Sequence, residues 1–136
     1  MLKKEIGFTL AELLVVLLIV AIFAALGLPG LAKTKESAIG REAQANLKLI
    51  AAAEKIYRME TGLYDAETNV SGVNSSLRLS IPSSSTKNWD YAVTASTDTF
   101  TATATRTTAT APGSYAGCTW SITHNTDKPT TSTCVP

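Results

Sequence analysis

Glu12 is the residue whose type and surroundings most demand a chemical explanation. It stands at the head of an apolar run, and residues 13–32, LLVVLLIVAIFAALGLPGLA, carry no charge. An ionised carboxylate at the margin of a lipid-facing helix is costly and needs a cationic partner. No cation lies within the run itself. The other reactive side chains are few. Cys118 and Cys134 are the only cysteines, His124 is the only histidine, and Asp127 is the only carboxylate after Asp98. A metal site built from Cys118, Cys134 and His124 would have three candidate ligands, against the two simpler states of a disulfide or a pair of free thiols. No nucleophile–base pair or carboxylate pair has a plausible catalytic spacing. The expectation is a protein without catalytic activity, cofactor or metal.

The elements that would position Glu12 are legible from hydropathy and charge. Lys plus Arg number 12 and Asp plus Glu 11, a near-balance that argues against a nucleic-acid partner. Residues 94–111 contain nine Thr, so apolar and polar residues are segregated along the chain. Such a distribution suits a membrane segment joined to a polar head. Twenty uncharged residues between Glu12 and Lys33 would span ~30 Å as a helix, enough for a bilayer's hydrocarbon core. Lys3 and Lys4 just before the run mark a cytoplasmic end, so the rest of the chain should face the other side. A buried core helix would need a larger domain around it. A cleaved secretory signal is the sharper competitor, because Gly30-Leu31-Ala32 offers small residues for a cleavage site. Pro29, flanked by Gly27 and Gly30, predicts a kink or a locally melted stretch, or simply the end of the membrane helix.

From residue 33 to about 60 the pattern is an amphipathic helix. Ile39, Ala43, Asn46, Ile50, Ala53 and Tyr57 fall on one face, flanked by Leu47, Leu49 and Ile56, and Gly62 is a plausible stop. Residues 65–88 read as a loop with a short strand at Leu77, Leu79 and Ile81. Three strands follow: one through Tyr91, Val93 and Ala95, one through Phe100, Ala102, Ala104 and Arg106 with Thr on the opposite face, and one through Cys118, Trp120 and Ile122. A turn is expected at Pro112-Gly113. The triplets Asn69-Val70-Ser71 and Asn74-Ser75-Ser76 match the N-glycosylation pattern, as Ser-rich loops often do. The fold class is therefore α+β: a long N-terminal helix, its first half transmembrane, packed against a small antiparallel sheet.

The junction Gly7-Phe8-Thr9-Leu10-Ala11-Glu12, followed at once by the apolar run, resembles the class III signal of type IV pilins and type II secretion pseudopilins. The resemblance implies a membrane peptidase that cuts between Gly7 and Phe8 and methylates the new amine of Phe8, leaving the apolar helix attached. Glu12 would be the fifth mature residue, where the family's carboxylate neutralises the N-terminal amine of a neighbouring subunit. Pro29 stands where the family has a helix-breaking proline that resembles the segment melted in filaments. Tyr57, Gly62 and Tyr64 resemble the family's ending of the long helix, although Asp65 replaces a common Pro, and Ala11 stands where Ile is commonest. The implied domains are a leader 1–7, a transmembrane or filament-core half-helix 8–32, an amphipathic half-helix 33–64 and a β-sheet head 65–136, together a pilin fold.

Placement outside the cytoplasm and an even cysteine count favour a disulfide between Cys118 and Cys134, resembling the disulfide-bound loop of many pilins. The family's calcium loop is acidic, and with Asp127 alone after Asp98 it looks absent here. The function implied is a structural subunit of a type IV pilus, with a pseudopilin of a secretion or DNA-uptake machine as the alternative. A binding domain secreted by signal peptidase is a more distant third. The partners implied are further copies of the chain, the prepilin peptidase/methyltransferase, the inner-membrane assembly machinery and, before assembly, lipid. The implied localisation is a single-pass position in the bacterial inner membrane, then an extracellular filament.

Overall fold

The computed structural model describes residues 7–83, 87–111, 113, 115–131 and 134, and for residues 26–30 and 32 the backbone alone. In order, the elements are α1 (Leu10–Thr61), α2 (Val70–Ser76), β1 (Trp89–Ala95), β2 (Phe100–Arg106), β3 (Thr119–Thr123) and β4 (Thr130–Thr131). The chain divides into two compact units, Met1–Glu36 and Ser37–Pro136.

In the first unit, a short non-helical start at residues 7–9 leads into α1. Leu13, Leu14, Val15, Val16, Leu17, Leu18, Ile19 and Val20 are consecutive, so they cover the full circumference, and each is about half exposed. A helix that is apolar all round has no hydrophilic face to turn to water. The backbone stays helical through Pro29, and the Pro29 side chain lies outside the described residues. Among the described residues, no helix is long and apolar enough to cross a membrane. Of the apolar run, the side chains of residues 13–25 and of Leu31 are described.

The second unit folds because its helical stretch has an apolar stripe. Ala43, Leu47 and Ile50 are fully buried, and Ile39 and Tyr57 are partly so. Leu47 lies at the centre of the contact, whereas Leu49 and Ile56, expected to widen the stripe, turn outward at 47% and 54% exposure. The buried face is rotated toward Leu47, Ala51 and Glu54 relative to the sequence pattern. Gly62 ends α1 in the left-handed region (φ 86°), and its N–H donates to the Arg58 carbonyl at 2.8 Å. A residue without Cβ adopts that conformation at least cost.

The sheet is an antiparallel meander in the order β1-β2-β3-β4. Register places Tyr91, Ala104 and Trp120 in one row, and Val93, Ala102 and Ile122 in the next. Both alanines of the central strand are fully buried. Small residues there leave room for Leu47 and Ile50 of the helix, and each such side chain contributes about 1.5–3 kcal/mol by leaving water. The opposite face carries Thr94, Thr101 and Thr123 in register, then Thr103 beside Ser121, and Thr105 beside Thr119. The two-residue β4 was not expected, since two threonines carry no alternating pattern.

Residues 65–88 depart from expectation. Val70–Ser76 is a helix whose N-cap, Asn69, accepts the Gly72 N–H at 2.9 Å. Val70, Val73 and Leu77 then recur at helical spacing on the buried side. No strand forms at Leu77, Leu79 and Ile81. The Asn74 amide takes the sheet partner's role there, donating to the Ile81 carbonyl and accepting its N–H, both at 2.8 Å. Of the expected Pro112-Gly113 turn, Pro112 lies outside the described residues.

Candidate functional site

The N-terminal junction is a helix cap. Thr9 precedes the first residue of α1, and Glu12 lies three positions on. Glu12 Oε2 accepts the Thr9 N–H at 3.3 Å and the Thr9 hydroxyl at 3.2 Å. In return, the Glu12 N–H donates to Thr9 Oγ1 at 3.3 Å. The Leu13 N–H closes the first turn on the Thr9 carbonyl at 3.2 Å. This reciprocal pair satisfies backbone donors that a helix start leaves without partners, and the carboxylate sits at the positive end of the helix dipole. Glu12 thus has a local partner in its own chain before any neighbour arrives. The Thr-x-x-Glu spacing that announces such a cap was present in the sequence, and Thr9 is the residue that reading Glu12 alone overlooks.

The junction is also open. Phe8 is 74% exposed and Leu10 83%. A Cβ added to Gly7 would meet nothing within 4 Å. Among the described residues, packing therefore gives no reason for glycine at position 7. Gly7, Phe8 and Glu12 are brought together by adjacency, with Thr9 ordering the carboxylate. Pro29 shares α1 with Glu12, whereas Gly7 and Phe8 precede the helix.

Comparison with known families decides what kind of junction this is. Residues 2–28 match the prokaryotic N-terminal methylation motif. The chain carries a class III signal. That motif implies processing by a prepilin peptidase, and it supports a type IV pilin-like or pseudopilin subunit. It is a motif of structural proteins, not of an enzyme family. Neither a curated protein nor a solved structure matches the chain significantly.

The head adds a covalent and a polar framework. Cys118, immediately before β3, is bonded to Cys134, with their Cα atoms 5.0 Å apart, tying the tail to the sheet. Among the described residues, no group of three or more His, Cys, Asp or Glu side chains is placed to hold a metal ion. Helix and sheet are joined by directed bonds: Trp89 Nε1 to the Ile39 carbonyl, the Asn46 amide to the Tyr91 hydroxyl and the Asn88 amide to Glu42 Oε2, each 2.9 Å. Burial pushes the Tyr91 phenol up to about 12, against the hydrogen bond from Asn46. Arg58 donates to the Tyr64 hydroxyl at 3.2 Å and to Asp98 at 2.7 Å. The Tyr64 bond is the main reason its guanidinium is held above the usual range. Arg106, facing inward as its strand position predicts, is 1% exposed. It donates to the Asn88 carbonyl at 2.8 Å and to the Thr110 hydroxyl at 2.7 Å, which spares a buried charge from being left bare.

Proposed function

We propose that the chain is a structural subunit of a type IV pilus, held in the inner membrane by its apolar helix and then polymerised into a surface filament. The observation that carries this reading is Glu12, the one charge in residues 8–32, at the head of outward-facing apolar residues and four positions from the Gly7–Phe8 bond. Cleavage there would create an amine at Phe8. Within an apolar bundle, an ammonium and a carboxylate from adjacent copies satisfy each other, and their pairing sets register. Pairing across subunits would compete with the Thr9 hydroxyl and N–H for the carboxylate, so the cap keeps Glu12 oriented toward the helix start until a neighbour's amine displaces it. The Cys118–Cys134 loop favours a pilin over a secretion pseudopilin, because it resembles the disulfide-bound loop of many pilins.

Intact mass and N-terminal sequencing of the chain from its native membrane test the processing step. The expected start is Phe8, N-methylated. A start at residue 33 would mark a secreted domain and end the pilin reading. Shearing cells that express the chain at its native level separates the two assembly readings: filaments in the sheared fraction support a pilus, and a chain confined to the envelope supports a pseudopilus.

A further inference from the structure

Within the head, the face of α1 turned away from the core keeps an apolar stripe exposed. Ala45, Leu49, Ala52, Ile56 and Met59 are all exposed, Leu49 at 47%, Ile56 at 54% and Met59 at 78%. The gaps between them alternate between four and three residues, the spacing of positions a and d in a heptad, with Leu49 and Ile56 at a. In that frame the residues buried in the head, Ala43, Leu47, Ile50, Ala51 and Glu54, fall at b, c and f. This stretch of helix thus has two apolar faces, one closed by its own chain and one left open. A contiguous row of exposed apolar side chains marks a surface that another molecule covers.

The charges beside the stripe select what covers it. Lys48 and Lys55 stand at g, and Ala53 and Glu60 at e. In a parallel pair of identical helices, each g residue faces the next e residue of the other copy. That register sets Lys55 of each copy against Glu60 of the other, and Lys48 against the neutral Ala53. An antiparallel pair would instead set the lysines of one copy against those of the other, which is repulsive. The partners these charges have now give way easily. Lys55 meets Asp127 at 3.9 Å and Glu60 meets Arg78 at 4.0 Å, and all four side chains are exposed, so neither pair is worth much. An open groove of about 190 Å³ flanks the stripe, lined by Leu49, Ala52 and Ile56 of α1 and by Leu77 and Leu79 of the following segment. It gives the apolar side chains of a second helix a hole to enter.

We propose that two copies of the chain pair side by side and in parallel through this stripe, as a short symmetric coil. The pair rests on the proposed membrane reading in one respect. From Ala45 to Met59 the stripe runs only ~20 Å, too short to hold two copies together in dilute solution. Copies inserted in one membrane in the same sense meet at a far higher effective concentration. A two-fold contact is closed, because each copy covers its stripe with the other's, whereas a filament grows through contacts that do not close. The pair therefore belongs to the membrane pool and is separate from the Phe8–Glu12 contact proposed to draw copies into a filament.

Cross-linking of the full chain in phospholipid vesicles, where no assembly machinery is present, tests the pair. Cys118 and Cys134 are bonded to each other, so an added cysteine is the only free thiol. Met59→Cys should give a covalent dimer under mild oxidation, because a d position faces its own counterpart across a parallel coil. Thr94→Cys, exposed on the outer face of the sheet, should stay monomeric. Adding Ile56→Glu to Met59→Cys should abolish the dimer and leave the melting temperature unmoved, since Ile56 lies outside the core. In the same Met59→Cys background, Lys55→Glu should weaken the dimer by setting like charges together, and Lys55→Glu with Glu60→Lys should restore it. Cross-linking no faster at position 59 than at 94 overturns the pair. So does a dimer that persists with Ile56→Glu, or a double charge exchange that fails to restore what Lys55→Glu removes. Flotation of the vesicles reports membrane insertion and sheared filaments report assembly, so the pair and the pilus reading fail on different measurements.

Discussion

The two units of the chain solve the same problem in opposite ways. In Ser37–Pro136, apolar residues of helix and sheet turn toward one another, and Leu47, Ile50, Ala102, Ala104 and Ile122 are almost completely out of water. In Met1–Glu36, the described leucines, valines and isoleucines are exposed all round the helix. The first arrangement is complete within one molecule. The second is not: an all-apolar helical surface is stable only against lipid or other apolar helices. If assembly runs through the apolar stretch as proposed, folding and assembly fall to different stretches of α1, and each should be breakable without the other.

The largest effect is expected from Glu12→Leu. Insertion should survive, because the helix only becomes more apolar. The head should melt unchanged, because its core lies wholly in the other unit. Filament yield should collapse, since the amine at a neighbour's Phe8 would have no partner in an apolar bundle. Membrane pool and sheared filaments measured separately check this, and normal filament yield from the Leu variant would reduce the helix to a plain anchor.

Leu47→Ala sharpens the contrast from the other side. Truncating a fully buried leucine should destabilise the head by about 2–5 kcal/mol in a denaturant titration of the chain in micelles. Leu17→Ala, at a residue 61% exposed, should leave that titration unmoved. Reduction of Cys118–Cys134 comes next. Closing a loop of this size is worth ~3 kcal/mol on the chain-entropy view, so reductant should lower the melting temperature of the head by several degrees. An unchanged curve would show the bond to be energetically idle. Thr9→Ala should cost about 1 kcal/mol of helix-start stability through loss of the cap, seen as faster amide exchange at residues 10–12 with the head unaffected. The smallest effect should come from Asp127→Asn. It breaks an exposed 3.9 Å pair with Lys55 and should change the melting temperature by less than the equivalent of about 1 kcal/mol.

Much of this architecture is written locally in the chain. The junction from Gly7 to Glu12, the uncharged run behind it and the Gly62 stop depend on neighbours in sequence, and local physics is enough to read them. The strands through Tyr91 and Phe100 were legible for the same reason: alternation of inner Tyr91, Val93, Ala102 and Ala104 with outer threonines is a period-two signal that any one-sided sheet must show. Thr9 was legible too, through its spacing from Glu12.

Other features were decided by contacts between distant residues. Leu47 flanks the apolar stripe on one side and Leu49 and Ile56 on the other, about half a turn away round the helix, and only the side of Leu47 is covered. Ile81 alternates with Leu79 and Leu77 as a strand would, but Asn74 claims both of its backbone groups and leaves none for a sheet neighbour. Glu54 reads along the helix as a charge four positions before Arg58, an ordinary surface pair. In the fold, Arg58 turns to Tyr64 and Asp98, and Glu54 is buried, accepting the Asp65 N–H. The sequence by itself determined which stretch is apolar on all sides, where its helix starts and which strand faces are inner. Only the tertiary structure decided which carboxylates lose their water, because burial depends on what the rest of the chain lays over a residue and not on the residue's neighbours in line.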